Sequence, residues 1–255
     1  MSTDALPQER RQIILNLLLQ NGKLVSAELS QRLGVSEDTV RRDLRELDEA
    51  GLLTRVHGGA LPRSPTTLPY AARRKQNMPA KTAIAKKAAR FIKNGQVVIM
   101  DGGTTTEEVA GGLEPDLTAT FVTNSPNIAL ALSHYPNITL IMTGGVLQQG
   151  DNVLTGSQTL ASLREIKADL CLLGICSLNP EFGVTAHVLE EAYVKRLMIE
   201  RSAETVALCS AEKLGTAAPY VVSPLNKLSY LVTEASVSDE MLEPYKTLGV
   251  SVSRA

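Results

Sequence analysis

The chain is poor in the residues that build covalent or metal-held scaffolds. Its three cysteines, Cys171, Cys176 and Cys209, form no even set and no CxxC pair, and its three histidines, His57, His134 and His187, are scattered. This argues against a disulfide framework or a structural zinc site, and fits a reducing compartment. We read the cysteines as small buried hydrophobes and His134 and His187 as surface or helix-end residues, and expect neither metal nor cofactor. No apolar run approaches the ~20 residues that span a bilayer. The opening MSTDALPQERRQ lacks the basic start and apolar stretch of a signal peptide. The expectation is a cytoplasmic protein with no membrane partner. There is no GxGxxG with a following acid and no GxxxxGK[ST], so neither phosphate-binding pattern applies. Nor is there a cationic surplus. The 26 Lys+Arg face 27 Asp+Glu, a formal net charge of −1, which taken whole argues against nucleic acid.

What is present is an ordinary globular composition, 44% apolar and 21% charged over 255 residues, long enough for one large or two modest domains. The first 60 residues predict three helices and a hairpin. Pro7 opens the first helix, Ile13, Ile14, Leu17 and Leu18 share a face, and Asn21-Gly22 stops it. Ser26 caps a second helix carrying Leu29 and Leu33, and Gly34 allows a tight turn. Ser36 caps a third, with Glu37 and Asp38 at its positive end and Val40, Leu44 and Leu47 inward. Leu52 to Val56, Gly58-Gly59 and Ala60-Leu61 read as strand, turn and strand. Residues 62–79 are proline-punctuated, polar and aperiodic, and read as a linker.

Beyond it the pattern alternates. A helix over Lys81 to Lys93 precedes short apolar strands at Val97–Met100, Ala119–Thr123, Ile138–Met142, Leu170–Leu173, Val206–Leu208 and Tyr230–Val232, with helices between. That is the signature of an α/β domain with a largely parallel sheet.

Two helices separated by a glycine turn, the second rich in arginine, suggest a helix-turn-helix with a wing. With Val40, Leu44 and Leu47 inward, Glu37, Asp38, Thr39, Arg41, Arg42 and Arg45 point outward. Arginine pairs bidentately with guanine or phosphate, which suits groove reading. Arg55 and His57 on the wing would lie near phosphates. In the second domain, Asp101-Gly-Gly-Thr-Thr-Thr106 follows one strand, Thr123-Asn124-Ser125 a second, and Thr143-Gly144-Gly145 a third. Glycine turns after strands let backbone N–H groups approach an anion, and three such ends could converge on one crevice.

The segments ERRQIILNLL, LSQRLGVSEDTVRRDLRELDEAGLL and RVHGGA resemble the DNA-binding domain of the DeoR family of bacterial transcriptional regulators. RRKQN with Lys81, then DGGTTT, VTNS, TGG, Ala168 to Gly174, Glu191–Lys195 and Lys213-Leu-Gly215 resemble the effector-sensing domain of the same family. The resemblance covers nearly the whole chain. It implies a multidomain α+β protein: a winged helix-turn-helix over 1–61, a linker over 62–79, and a ribose-5-phosphate-isomerase-like α/β domain over 80–255 that senses an effector and oligomerises. It implies DNA contacts by Ser36, Glu37, Asp38, Thr39, Arg41, Arg42, Arg45, Arg55 and His57. Effector contacts are implied for Asp101, Gly103, Thr104, Thr105, Thr106, Asn124, Ser125, Gly144, Gly145, Lys195 and Lys213. The implied partners are double-stranded operator DNA, a phosphorylated sugar or similar metabolite, and further copies of the chain in a homodimer or homotetramer. One position departs from the family: three residues before Lys213, where many members carry Asp, stands Ser210.

Two other functions compete with a ligand-controlled repressor. One is a sugar-phosphate isomerase-like enzyme with an appended DNA-binding domain. The other is a DNA-binding protein whose second domain only oligomerises. The charge balance no longer opposes DNA once the chain is divided. Residues 1–75 hold twelve Lys+Arg against nine Asp+Glu, and residues 76–255 hold fourteen against eighteen. The amino-terminal part is therefore mildly basic, and useful DNA affinity is expected to need base reading and more than one winged domain acting together.

Overall fold

The computed structural model describes residues 6–64, 66 and 68–255. Residues 1–5 of the expected first domain, and 65 and 67 of the expected linker, lie outside the described residues. The chain opens with α1 (Pro7–Asn21), β1 (Leu24–Val25), α2 (Ser26–Leu33), α3 (Glu37–Glu49), β2 (Thr54–Val56) and β3 (Gly59–Leu61). Gly22 and Gly34 both take left-handed φ at the ends of α1 and α2, which is why glycine stands there. Ile14, Leu17, Leu18, Leu29, Val40, Leu44, Leu47, Leu53 and Ala60 form one core. Ile13 does not join it and is 40% exposed. Ser26 is not a cap either: it is the first helical residue, buried, and its N–H goes to the carbonyl of Gly58. The unexpected β1 explains this, because it pairs with β3 and makes the wing a three-stranded sheet in the order β1-β3-β2. Arg10 locks α1 onto α3 through a two-pronged ion pair with the buried Asp43.

Residues 62–79 are structured where described. Helix α4 (Tyr70–Arg74) forms within them, with Tyr70 buried and its hydroxyl donating to Glu107 at 2.6 Å. Ser64 is buried and donates to the carbonyl of Cys176. Composition misses this because the segment has no face of its own; it borrows contacts from the domain behind it.

Next come α5 (Met78–Ala89), β4 (Val97–Met100), α6 (Thr104–Ala110), β5 (Ala119–Thr123), α7 (Pro126–Leu132), β6 (Ile138–Met142), β7 (Val146–Gln148), β8 (Val153–Thr155), α8 (Ser157–Arg164) and β9 (Ala168–Gly174). The chain closes with β10 (Ser177–Asn179), β11 (Gly183–Ala186), α9 (Leu189–Glu200), β12 (Ser202–Leu208), β13 (Tyr220–Ser223), β14 (Tyr230–Thr233), α10 (Asp239–Thr247) and β15 (Ser251–Arg254). Seven strands form one sheet in the order β15-β14-β12-β9-β4-β5-β6, and every pairing in it is parallel. Alternate residues of a strand face opposite sides. Accordingly Leu170 and Leu172 of β9 pack with α5, α6 and α7, while Cys171 and Leu173 pack with α8, α9 and α10. A small antiparallel sheet, β10-β11-β13, and the β7-β8 hairpin lie outside this sheet.

From β4 the chain winds outward through β5 and β6, then returns to β9 on the other side of β4 and winds away through β12, β14 and β15. The direction reverses between β4 and β9, and a crevice opens beyond the carboxyl ends of strands at such a reversal.

The Arg10–Asp43 pair yields the first prediction. Asp43→Ala should destabilise the winged unit by about 3 kcal/mol, because a partly buried guanidinium loses its carboxylate. Arg11→Ala breaks the more exposed pair with Glu46 and an exposed hydrogen bond to the Pro7 carbonyl, and should cost less than about 1 kcal/mol. Denaturant unfolding of the two variants measures the difference; equal losses would show that Asp43 is not the anchor.

Candidate functional site

Two regions gather polar and charged groups. The first is the outer face of α3 and the wing. The Ser36 hydroxyl accepts the Thr39 N–H at 3.3 Å and so fixes the start of α3. Glu37 and Asp38, one turn before Arg41, pair with it at 3.1 and 3.4 Å. Arg42 and Arg45 are exposed and have no ion pair among the described residues. Arg55 and His57 are exposed on the wing, and together with Glu37 and Arg41 they line one groove between wing and helix. Of the outward set expected from the helical period, Glu37, Asp38, Arg41, Arg42 and Arg45 are exposed and Thr39 is half-buried; Glu37 and Arg41 reach the groove beside the wing.

The second region lies at the reversal between β4 and β9. Asp101, directly after β4, is fully buried. Its Oδ2 accepts the Gly174 N–H at 3.0 Å and the Lys195 ammonium, while Oδ1 has no protein partner among the described residues. Lys195, on α9 and 1% exposed, also donates to the Gly174 carbonyl at 2.9 Å and pairs with Glu191 at 3.2 Å. Burial opposes the lysine charge, but Asp101 and Glu191 outweigh it and hold the ammonium protonated well above its ordinary range. Burial pushes the Asp101 carboxyl up to about 6 against the pull of Lys195, with Glu191 adding to the rise.

Around this pair a cleft is lined by Gly102–Thr105, Gly174–Cys176, Arg73, Asp151, Glu191, Lys195 and Lys213. It continues past Arg73, Thr104 and Lys213 into a second lobe bearing Thr66, Gln76, Lys81 and Glu212. Lys213 is 9% exposed and its ammonium has no ion-pair partner among the described residues. Lys81 is buried, donates to the Arg73 carbonyl, and is pushed down to about 8 by burial and by the nearby Lys213 charge. Arg73, Lys81 and Lys213 thus meet in a cleft whose walls also carry Asp151, Glu191 and Glu212, and of these three cations Arg73 alone has an ion-pair partner among the described residues. Glu212 is held by the buried Ser210, which donates to it at 2.6 Å.

Of the implied effector residues, the structure brings Gly103, Thr104, Thr105, Lys195 and Lys213 to the cleft wall and sets Asp101 behind it. Thr106 turns back to the Gly103 carbonyl at 2.9 Å. Asn124 bridges loops, accepting from Gly102 N–H and donating to the Leu154 carbonyl. Ser125 caps α7. Gly144 and Gly145 have left-handed φ and make a close turn: a Cβ on Gly145 would lie 2.1 Å from the Thr159 hydroxyl. The ends of β5 and β6 thus brace the cleft from one side. The end of β9 faces β4 in their stead, because the reversal lies there. Sequence reasoning missed Arg73 and Asp151 as cleft residues. The signals available were, for Arg73, its place in the RRKQN segment that resembles the effector-sensing domain and, for Asp151, an acid in a hairpin turn. Cys176, read as a buried hydrophobe, is half-buried and lines the cleft.

Residues 10–66 match the DeoR-like helix-turn-helix domain, and residues 76–235 match the DeoR C terminal sensor domain. The chain belongs to the DeoR family of transcriptional regulators. It is 36% identical over 97% of both chains to the HTH-type transcriptional regulator GlpR of Haloferax volcanii. It is 32% identical to GolR of Listeria innocua, covering 98% of this chain and 99% of that one. It is also 32% identical to the glycerol-3-phosphate regulon repressor of Escherichia coli K12, covering 89% and 90%. Among solved structures, ribose 5-phosphate isomerase A of Methanocaldococcus jannaschii aligns with a TM-score of 0.41 at 18% identity, covering 54% of this chain and 55% of that one. The full-length sorbitol operon regulator SorC of Klebsiella pneumoniae aligns with a TM-score of 0.45 at 11% identity, over 96% and 99%. No helix among the described residues is long and apolar enough to cross a membrane.

The buried ion cluster of this DeoR-family chain makes a prediction with a sign. Lys195→Met leaves Asp101 and Glu191 buried together without their cation, which should cost roughly 3–5 kcal/mol at neutral pH. The Asp101 carboxyl, already raised by burial, then rises further above its unfolded value. The fold binds protons more tightly than the unfolded chain, so the deficit relative to the native protein should shrink as pH falls from 8 toward 5. Denaturant unfolding across that range checks this; a deficit independent of pH would contradict the assigned pairing.

Proposed function

We propose that this protein is a ligand-controlled transcriptional repressor that binds operator DNA through α3 and the wing and is released from it by a phosphorylated sugar or a similar small polyol phosphate. The observation that carries the ligand reading is Lys213: a lysine buried beside Lys81 and Arg73 with no ion-pair partner among the described residues. Burying an ammonium is costly unless it is compensated, and a phosphate compensates several cations at once. The hydroxyls of Thr104 and Thr105 and the carboxylates of Glu212 and Asp151 lie on the same walls and suit the hydroxyl groups of such a ligand. The sensor-domain match, and a relative named for the glycerol-3-phosphate regulon, support the same class. Glu212, fixed by Ser210, supplies the carboxylate that many family members place at the Ser210 position.

On the DNA side, Arg42, Arg45, Arg55 and His57 are the outward groups that no acid engages among the described residues, and Glu37, Asp38 and Thr39 frame the start of the reading helix. Symmetric operators require a symmetric oligomer, so the working form is a homodimer or homotetramer. We place the protein in the cytoplasm. We favour binding over turnover because Asp101 and Glu191 are ion-paired with Lys195, Asp151 with Arg73, and Glu212 accepts from Ser210, while isomerisation needs a base positioned at the substrate carbon.

Thermal melting against a panel of pentose, hexose and glycerol phosphates tests the ligand reading. The right compound at 100 times its Kd should add about 2.7 kcal/mol of stability, and Lys213→Ala should abolish the shift. Saturable binding without turnover is expected; turnover would restore the enzyme reading, and no shift with any compound would defeat the sensing role. Arg42→Ala and Arg45→Ala should each weaken DNA binding and reduce the slope of log affinity against log salt by about 1 for each phosphate left without its arginine. An unchanged slope in both variants would remove α3 from the interface.

A further inference from the structure

Arg73 belongs to two places at once. It sits on α4, inside the segment that joins the winged unit to the sensor domain, and its side chain lines both lobes of the cleft. One guanidinium nitrogen pairs with Asp151, and Nε donates to the Leu68 carbonyl at 2.9 Å. Asp151 lies in the turn between β7 and β8 and lines the cleft itself. Next to it the Tyr70 N–H donates to the Gly150 carbonyl at 2.9 Å. Helix α4 is thus pinned to the hairpin turn by two adjacent contacts, one of them an ion pair facing the ligand site.

That ion pair cannot be neutral toward an anionic ligand. Asp151 occupies Arg73, a residue suited to phosphate, and with Glu191 it puts negative charge on the wall a phosphate must approach. Both partners are largely withdrawn from water, with side-chain exposures of 13% and 28%, so the pair is more than a surface contact. A dianionic phosphate offers a guanidinium more charge and more acceptor oxygens than one carboxylate. We propose that Asp151 is a built-in competitor for the anionic group of the effector: it holds Arg73 in the empty protein, and the phosphate takes Arg73 from it. Because Arg73 lies on the joining segment, this exchange unpins α4 from the β7-β8 turn and carries ligand occupancy toward the DNA-binding unit. A ligand shifts a conformation only through different affinities for two states, and the broken and unbroken Arg73–Asp151 pair are two such states. The proposal rests on the anion-binding reading of the cleft.

The test uses the full-length protein with inorganic phosphate and ribose 5-phosphate as probes. Asp151→Asn keeps the side-chain shape and removes the competing charge, so calorimetric titration should show binding at least fivefold tighter than in the native protein. Arg73→Gln should weaken it at least fivefold. The opposite signs matter, since a folding defect would weaken both variants. In the native protein, saturating probe should speed hydrogen exchange at the Tyr70 amide; in Asp151→Asn that amide should already exchange fast and should not respond. Native binding combined with equal or weaker binding by Asp151→Asn, or a Tyr70 amide indifferent to saturating probe, would overturn the exchange while leaving the anion site standing. No saturable binding of either probe by native protein or variants would defeat the anion site and the exchange together.

Discussion

The Lys195 ammonium ties together parts of the chain that are remote in sequence: Asp101 at the end of β4, Gly174 at the end of β9, and Glu191 one turn earlier on α9. These are the two strands between which the winding of the sheet reverses. Removing one lysine and two carboxylates from water is expensive, and the cluster is favourable only with all members present. Its use is positional. The glycine-rich turn after β4 and the turn after β9 are held at a common floor, so Gly102–Thr105 and Gly174–Cys176 form facing walls. Within the cluster one ammonium faces two carboxylates, so Lys195 is committed to its own acids; under the proposed reading, ligand attraction falls to Lys213, Lys81 and Arg73.

Much of the large domain was legible because its signals are local. Val97–Met100, Ala119–Thr123 and Ile138–Met142 are short apolar runs with glycine or polar residues at their ends, and all three are strands over those spans. The inward face of α3 followed from its period, and Ser36 from its capping chemistry. What escaped depends on partners distant in the chain. β15, Ser251–Arg254, is a polar edge strand that β14 recruits. β1 is two residues long and exists only because β3 returns beside it. The residues after Pro62 lack periodicity because Tyr70 and Ser64 are buried by another domain's surface. The cleft was placed among the ends of β4, β5 and β6, since each carried a glycine or a hydroxyl. Strand order decides which ends face each other, and composition does not encode strand order. The resemblance implies an effector contact for Lys195, and nothing local in the sequence shows that two carboxylates will meet it.

The same distinction between engaged and free charge organises the DNA-binding end. The near balance of acids and bases there conceals pairs that serve the fold. Arg10 holds Asp43, Arg11 holds Glu46, and Arg41 is shared by Glu37 and Asp38. Once these are set aside, Arg42 and Arg45 on α3 and Arg55 on the wing are among the cations with no ion pair in the described residues, and they are the ones we propose for DNA. A few free cations give weak non-specific attraction, so under the proposed reading one winged unit alone binds poorly and occupancy needs joined copies. If two such weak units act together, as proposed, a small change in their relative placement costs most of the combined affinity.

The central claim is that a phosphorylated small molecule in the cleft between β4 and β9 controls DNA binding at the other end of the chain. The most direct measurement is the affinity of the full-length protein for a duplex it has itself selected from a random pool, determined with and without the sugar or polyol phosphate that stabilises it against heat. We predict at least a tenfold change, lost in Lys213→Ala while the variant's ligand-free DNA affinity stays at the native value. Specific DNA binding that no stabilising phosphate alters would contradict the account.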